Sequence, residues 1–355
     1  MRFILATAFV LSSAITAFAD SYVYISIAGE KKIAVYSMNE KTGKLEHRHD
    51  VKIDGEPGAL ATDPNSQFLF ASHRSTGQIS SFRINAKTGN LTRLSTVPAG
   101  ADPAFVATDR TGRYLLSAYY RAGKVVVHKI QKNGLLDQKP VQTVKTDEKA
   151  HAILTDSKNR FVFVPHTGPN AIFQFHFNAK TGKLAANTVS KIGTGKNTGP
   201  RHLAFHPKRN VVYFDNEQGS SVTAFRLNAD SGRLKPFQTL PTLPTGFSKR
   251  NSCAHLEISP NGKFLYAANR GHDSIAGYTL DSKTGKMTSL GQTPTEATPR
   301  SFNVEPGGIF LFAAGQSSGT LAAYRIDSGT GKLKRIATYP VGSRPWWVLV
   351  VKLTN

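Results

Sequence analysis

The sequence is written in short apolar runs. Stretches such as FLFASHR, QISSFRI and LTRLSTV, within residues 68 to 97, are rich in Phe, Leu, Ile and Val, and each ends at turn-forming or charged residues. Runs of this length bounded by turn signals predict β-strands, and no unit carries the 3.6-residue apolar spacing of a convincing amphipathic helix. A Thr-Gly or Ser-Gly turn recurs at Gly43, Gly89, Gly182, Gly232, Gly285 and Gly331, with a weaker copy at Asn133-Gly134. Between Gly43 and Gly331 the six intervals average 48 residues. Four strands per unit at this period predict an all-β chain folded as a seven-bladed β-propeller, each blade a four-stranded antiparallel sheet.

The units align almost without gaps. The C-terminal PWWVLVV reads as a first strand with no second strand after it, whereas the N-terminal YVYIS and KKIAVYSM lack a first strand before them. The last strand is therefore expected to complete the blade begun by the chain's start, which closes the ring and removes its free edges. Six residues before the turn proline, first strands carry Gly58, Arg201, Ala254 and Arg300; Ala104, His151 and Trp346 hold the same place in the other units. The seventh residue of successive second strands is Ala28, Arg74, Tyr120, Thr167, Glu217, Arg270 and Gln316. Antiparallel pairing sets the start of a first strand beside the end of its second, so Arg201 and Glu217 should meet. First strands line the hub of a propeller, and the residues expected at one mouth are His73, Arg74, Tyr120, His151, His166, Arg201, Glu217, Arg270, Arg300 and Arg344.

That set suggests acyl chemistry. A carboxylate or imidazole can take a proton from water, and guanidinium groups can hold an anion or stabilise an oxyanion. Two arginines should keep Glu217 ionised, leaving His151 as the proton carrier tuned near neutrality. His202 and His206 read as packing or turn residues rather than metal ligands, and Cys253 as core or rim packing rather than a nucleophile. No metal site and no cofactor are expected. Lys plus Arg number 45 against 23 acidic residues, a net charge of +22. Most lysines fall in the repeated turns, without a basic helix or arm, which argues against a nucleic-acid partner and for an anionic small molecule. Arg2, the apolar run Phe3 to Val10 and Ala17-Phe18-Ala19 fit a secretory signal over residues 1–19, leaving 20–355 as one domain, periplasmic or secreted, without membrane insertion once the signal is removed. A monomer is expected.

GPRHLAFHP (199 to 207), NEQGSSVTAF (216 to 225), NSCAHLEISPNGKFLYAANRGHDSIAGY (251 to 278) and TPRSFNVEPGGIFLFAA (298 to 314) resemble the seven-bladed propeller lactonase family, which includes bacterial 6-phosphogluconolactonase and fungal carboxy-muconate cyclases. The likeness runs over essentially the whole chain after the signal. It implies metal-independent hydrolysis of a sugar lactone, with the family's active-site His, Arg, Glu and Arg falling on His151, Arg201, Glu217 and Arg270. Arg300, His73, Arg74, Tyr120, His166 and Arg344 would contact substrate. One departure is EKAHAIL, where relatives often carry two histidines around the alanine and this chain has Lys149. Phosphorylated sugar lactones are cytoplasmic metabolites, so export favours an aldonolactone such as gluconolactone over 6-phosphogluconolactone. A cycloisomerase, a non-catalytic scaffold for an envelope protein or polyanion, and a calcium-dependent propeller are the competing readings, the last needing more acidic ligands than Glu217, Asn216 and Asn269 supply.

Overall fold

The computed structural model describes residues 21–353. The expected signal segment lies outside them. Twenty-eight strands assemble into seven four-stranded antiparallel sheets, and the sole helical element among the described residues is a short 3-10 turn at Ala28–Glu30. Blades are numbered here from the first complete one. Blade 1 is Pro57–Thr62, Phe68–His73, Gln78–Ile84 and Leu91–Pro98; blade 4 is Pro200–Phe205, Val211–Asn216, Ser221–Leu227 and Leu234–Pro241. Blade 7 is composite, as the repeat alignment requires: Pro345–Lys352 pairs antiparallel with Ser21–Ile27, which continues into Lys32–Met38 and Leu45–Lys52.

The repeated turn explains itself locally. In blade 4, Asn228 accepts the backbone N–H groups of Asp230 at 3.0 Å and Ser231 at 2.8 Å through its side chain, and Gly232 takes φ +69°, a conformation that costs a residue with a Cβ. Buried tyrosines then tie several blades to a neighbour's turn. The hydroxyls of Tyr24, Tyr213 and Tyr266 donate to the carbonyls of Gly89, Gly285 and Gly331 at 2.8, 2.6 and 2.7 Å. Between the sheets lies a core of Val, Ile, Leu, Phe and Tyr drawn from the inner three strands of every blade, while the outermost strands alternate exposed and half-buried positions.

One irregularity positions the site. In blades 1, 2, 4, 5 and 6 the ladder between first and second strand slips, between Pro57 and Leu60, Pro103 and Phe105, Pro200 and Leu203, Cys253 and Leu256, and Pro299 and Ser301. A bulge of this kind aims neighbouring side chains to the same side, which simple alternation forbids. Arg201 and His202, adjacent in sequence, consequently both reach the hub cluster. Blade 3 differs again. Its first strand is only Leu154–Thr155, and His151 sits just before it, held by its N–H to Pro165 O at 3.0 Å.

Candidate active site

Glu217 follows the second strand of blade 4, where its N–H bonds to Gly199 O at 2.7 Å. Its carboxylate stands between two guanidinium groups. Arg270, at the end of Phe264–Arg270 in blade 5, donates through Nη2 to Glu217 Oε1 at 2.7 Å and to Cys253 O at 3.0 Å. Arg201 Nε lies 3.4 Å from Glu217 Oε2, an ion pair without hydrogen-bond geometry. Arg201 is only 2% exposed, Glu217 21% and Arg270 14%. Burial pushes Glu217 upward, but Arg201 and Arg270 outweigh it and hold the carboxyl below its ordinary value. Arg201 itself is drawn down to about 10 by burial and by Arg270 beside it.

His151 faces this pair from blade 3. Its ring stands edge-on to His202 at 5.0 Å and to Tyr120 at 5.6 Å, and among the described residues no hydrogen bond occupies either nitrogen. Burial, followed by Arg201, Arg300, Arg74 and Arg270, pushes its pKa well below the ordinary imidazole value. The expected proton carrier tuned near neutrality is corrected on that account: His151 is a neutral imidazole in an arginine field.

Trp346 joins the site from blade 7. Arg300 lies over its indole at 3.8 Å and Arg74 at 5.3 Å. Arg74 is tied to Asp102 at 3.1 Å, whereas Arg300 makes no hydrogen bond or ion pair among the described residues. The six residues His151, Arg201, Glu217, Arg270, Arg300 and Arg74 thus share one electrostatic neighbourhood, with Tyr120 at its edge.

The other three candidates stand apart. His166 is fully buried inside blade 3, with its ring nitrogens on Val164 O and Thr146 Oγ1 at 3.0 Å each and its ring 4.4 Å from Phe173. His73, also fully buried, has Arg93 and Asp54 of the outer rim as its nearest charges, and burial brings it down to about 4. Both precede the mouth position by one residue, and alternation turns them from the hub into the sheet stack; they are withdrawn as substrate contacts. Arg344 remains on the rim, half-exposed and paired with Glu56 at 2.6 Å.

An aromatic cluster packs next to this site. Phe105, His202, His255, Phe302 and Trp347, from blades 2, 4, 5, 6 and 7, contact one another edge-to-face with centroid separations of 4.9–5.7 Å. His202 was expected to pack or turn, and the bulge that brings it to the cluster has no clear sequence signature. His206 caps the turn on the opposite face by accepting Lys208 N–H at 3.1 Å. Cys253 is buried with its thiol pushed up to about 12 by burial and the nearby Asp215, which makes it inert as a nucleophile. No group of three or more His, Cys, Asp or Glu converges as a metal site among the described residues.

A closed seven-bladed ring that gathers one carboxylate between two arginines, an imidazole and a tryptophan-stacked guanidinium at its hub sets the class of fold and site. The chain belongs to the seven-bladed β-propeller lactonase family: the profile described as "Lactonase, 7-bladed beta-propeller" matches residues 23–350. It is 34% identical over 332 residues to a 6-phosphogluconolactonase of Pectobacterium carotovorum, covering 94% of this chain and 85% of that one. The 6-phosphogluconolactonase of Erwinia tasmaniensis is 32% identical over 94% of this chain and 86% of its own length. Among solved structures, the periplasmic gluconolactonase of Pseudomonas aeruginosa superposes with a TM-score of 0.87 at 24% identity, covering 94% of this chain and all of that one, a likeness of fold.

Proposed function

We propose that the chain hydrolyses a sugar lactone bearing an anionic group, and that it does so with His151, Glu217, Arg201 and Arg270. The observation that carries this reading is Glu217 clamped between Arg201 and Arg270, with the unpartnered His151 facing them. In the reaction a water oxygen attacks the lactone carbonyl while a base takes its proton. The tetrahedral oxyanion then collapses, the ring C–O bond breaks, and the proton returns to the departing hydroxyl.

His151 is assigned as the base, because it is neutral and its nitrogens are uncommitted. Glu217 is a poorer base with both arginines on it; its role is to fix their directions. Arg201, with N–H groups beyond those facing Glu217 and His202, supports the oxyanion. Arg300, stacked on Trp346 without an acidic partner, takes the substrate's anionic substituent, with Arg74 behind it. This anion would screen the arginine field at His151 and raise its proton affinity when substrate binds. The base would then be strongest only in the complex.

The relatives' names favour 6-phosphogluconolactone, and the signal-like start favours an exported enzyme meeting aldonolactones such as gluconolactone. No helix among the described residues is long and apolar enough to cross a membrane. The deciding experiment is a panel of gluconolactone, 6-phosphogluconolactone and related lactones followed by acid release, with and without chelator. Turnover of an anionic lactone such as 6-phosphogluconolactone above that of neutral gluconolactone, unchanged by chelator, is expected. Inertness toward all of them would refute the reading.

A further inference from the structure

From Arg201 a line of buried and half-buried polar groups crosses four blades. Arg201 Nη1 lies 3.3 Å from His202 Nε2, His202 Nδ1 lies 2.8 Å from His255 Nδ1, and His255 Nε2 lies 3.1 Å from Glu257 Oε1. Glu257 also accepts Asn303 Nδ2 at 2.6 Å and the N–H of Val304 at 2.8 Å; the Asn303 amide oxygen in turn accepts Val350 N–H at 2.7 Å. The two ends of this line are chemically one-way: a guanidinium can only donate, and a carboxylate receiving three N–H groups can only accept.

That polarity fixes every proton between them. His202 Nε2 must be bare to receive Arg201, so a neutral His202 carries its proton on Nδ1. It then donates to His255, whose Nδ1 must be bare, and His255 carries its own proton on Nε2 toward Glu257. Any other assignment sets two donors or two lone pairs face to face at a buried contact. An imidazolium at His255 would reverse the middle link and turn His202 Nε2–H against Arg201. Burial, followed by the charge of Arg201, also disfavours an imidazolium at His202, which is pushed well below its ordinary value. Because the upper end is an arginine, the line has no proton to receive from the site. It is a holder rather than a conduit.

We propose that His202, His255 and Glu257 are positioning residues that lock the rotation of the Arg201 guanidinium by presenting it with a neutral imidazole lone pair. A second carboxylate in that place would orient Arg201 equally well but would cancel the charge that an anion or oxyanion needs. The imidazole orients without neutralising, while the neutralising carboxylate is set two hydrogen bonds further down, at Glu257. Arg201 is thereby aimed from both sides, by Glu217 through Nε and by His202 through Nη1. The functional part of this inference rests on the lactonase reading; the proton pattern does not.

The test joins spectroscopy to kinetics. Long-range ¹H–¹⁵N correlation on histidine-labelled protein, assigned with His202→Gln and His255→Gln, should show His202 protonated on Nδ1 and His255 on Nε2 at neutral pH. Glu257→Leu removes the acceptor of the His255 Nε2–H, so that resonance should shift or be lost, and with the lower end of the line unanchored kcat should fall about tenfold or more with KM nearly unchanged. Glu257→Gln keeps an amide oxygen for His255 but sets an NH2 group against Val304 N–H. It should therefore lower Tm while keeping the wild-type tautomers and most of kcat. His202 protonated on Nε2 in the wild type, or rates in the two variants that simply follow their Tm values, would overturn the proposal. A wild type inert toward every lactone leaves the NMR result to decide the proton pattern alone.

Discussion

The two faces of the ring use arginine in opposite ways. On the face of the repeated turns, Arg83, Arg113, Arg160, Arg209 and Arg226 each donate to a backbone carbonyl in the next blade's turn, Asn133, Ala179, Ala229, Lys283 and Thr284 in order. Several also lie over a phenylalanine of their own blade, as Arg83 does over Phe68 at 5.1 Å and Arg160 over Phe161 at 5.3 Å. Their hydrogen bonds are made and their positions recur, so they serve as stitches. On the mouth face Arg74, Arg201, Arg270 and Arg300 converge instead of spreading, and Arg300, stacked on Trp346, makes no hydrogen bond or ion pair among the described residues. Repetition marks what holds the wheel together. Departure from it marks where bonding capacity has been left for something the protein binds.

The comparison breaks first at the clamp. Arg201→Ala or Glu217→Gln should lower kcat by about a hundredfold or more, the loss seen when an oxyanion donor or its support is removed. Initial rates of acid release measure this, with circular dichroism to verify that the ring is intact. Rates near wild type in either variant would place both residues among the stitches. Next in size is Arg300→Ala. Losing a charge-assisted contact should raise KM for an anionic lactone about tenfold or more and leave KM for a neutral one nearly unchanged. Equal losses for both substrates would mean that Arg300 merely supports Trp346.

Most of the wheel was legible because repetition is visible in a single sequence. The Gly43-to-Gly331 turns gave the blade count, and the orphan strands at the two ends gave the composite blade. The mouth was legible as far as each residue's height in its blade, which brought Arg201, Glu217 and Arg270 together correctly. Direction was less accessible. His73 and His166 have the right height but the wrong side of the strand, one residue short of the position that faces the hub. His202 was legible as a packing residue but its place in the hub was not, and His255 drew no reading: the bulges at 200–203 and 253–256 set aside the period of two on which the strand reading depends. Glu257, two residues past His255 on the same strand, shared that fate, although an acidic residue on an innermost strand was itself a signal.

A sharper test of the difference between faces is the acid limb of the rate profile. Because burial and four arginines depress His151, its proton is already gone at neutral pH, and kcat/KM should stay flat through neutrality and fall only below the ordinary imidazole value of about 6.5. Titration of the His151 ring by NMR should show its midpoint rising when inorganic phosphate occupies the arginines, since an added anion opposes the field that lowers it. A midpoint unmoved by phosphate, or a limb centred at or above 6.5, would separate His151 from the arginine cluster.

The smallest effect belongs to the stitched face. Tyr213 spans from blade 4 to the Gly285 carbonyl in the turn of blade 5, a buried bond of 2.6 Å. Tyr213→Phe removes one hydroxyl and leaves the Gly285 carbonyl without its donor. Stability should fall by about 1–2 kcal/mol, read from the denaturant midpoint at constant slope. Turnover should be unchanged, because the lost bond sits at the far end of the strand from Glu217 and recurs at Tyr24 and Tyr266, where no chemistry is proposed. A drop in kcat without a drop in stability would mean that the turns transmit to the hub, and the division of labour between the two faces would no longer hold.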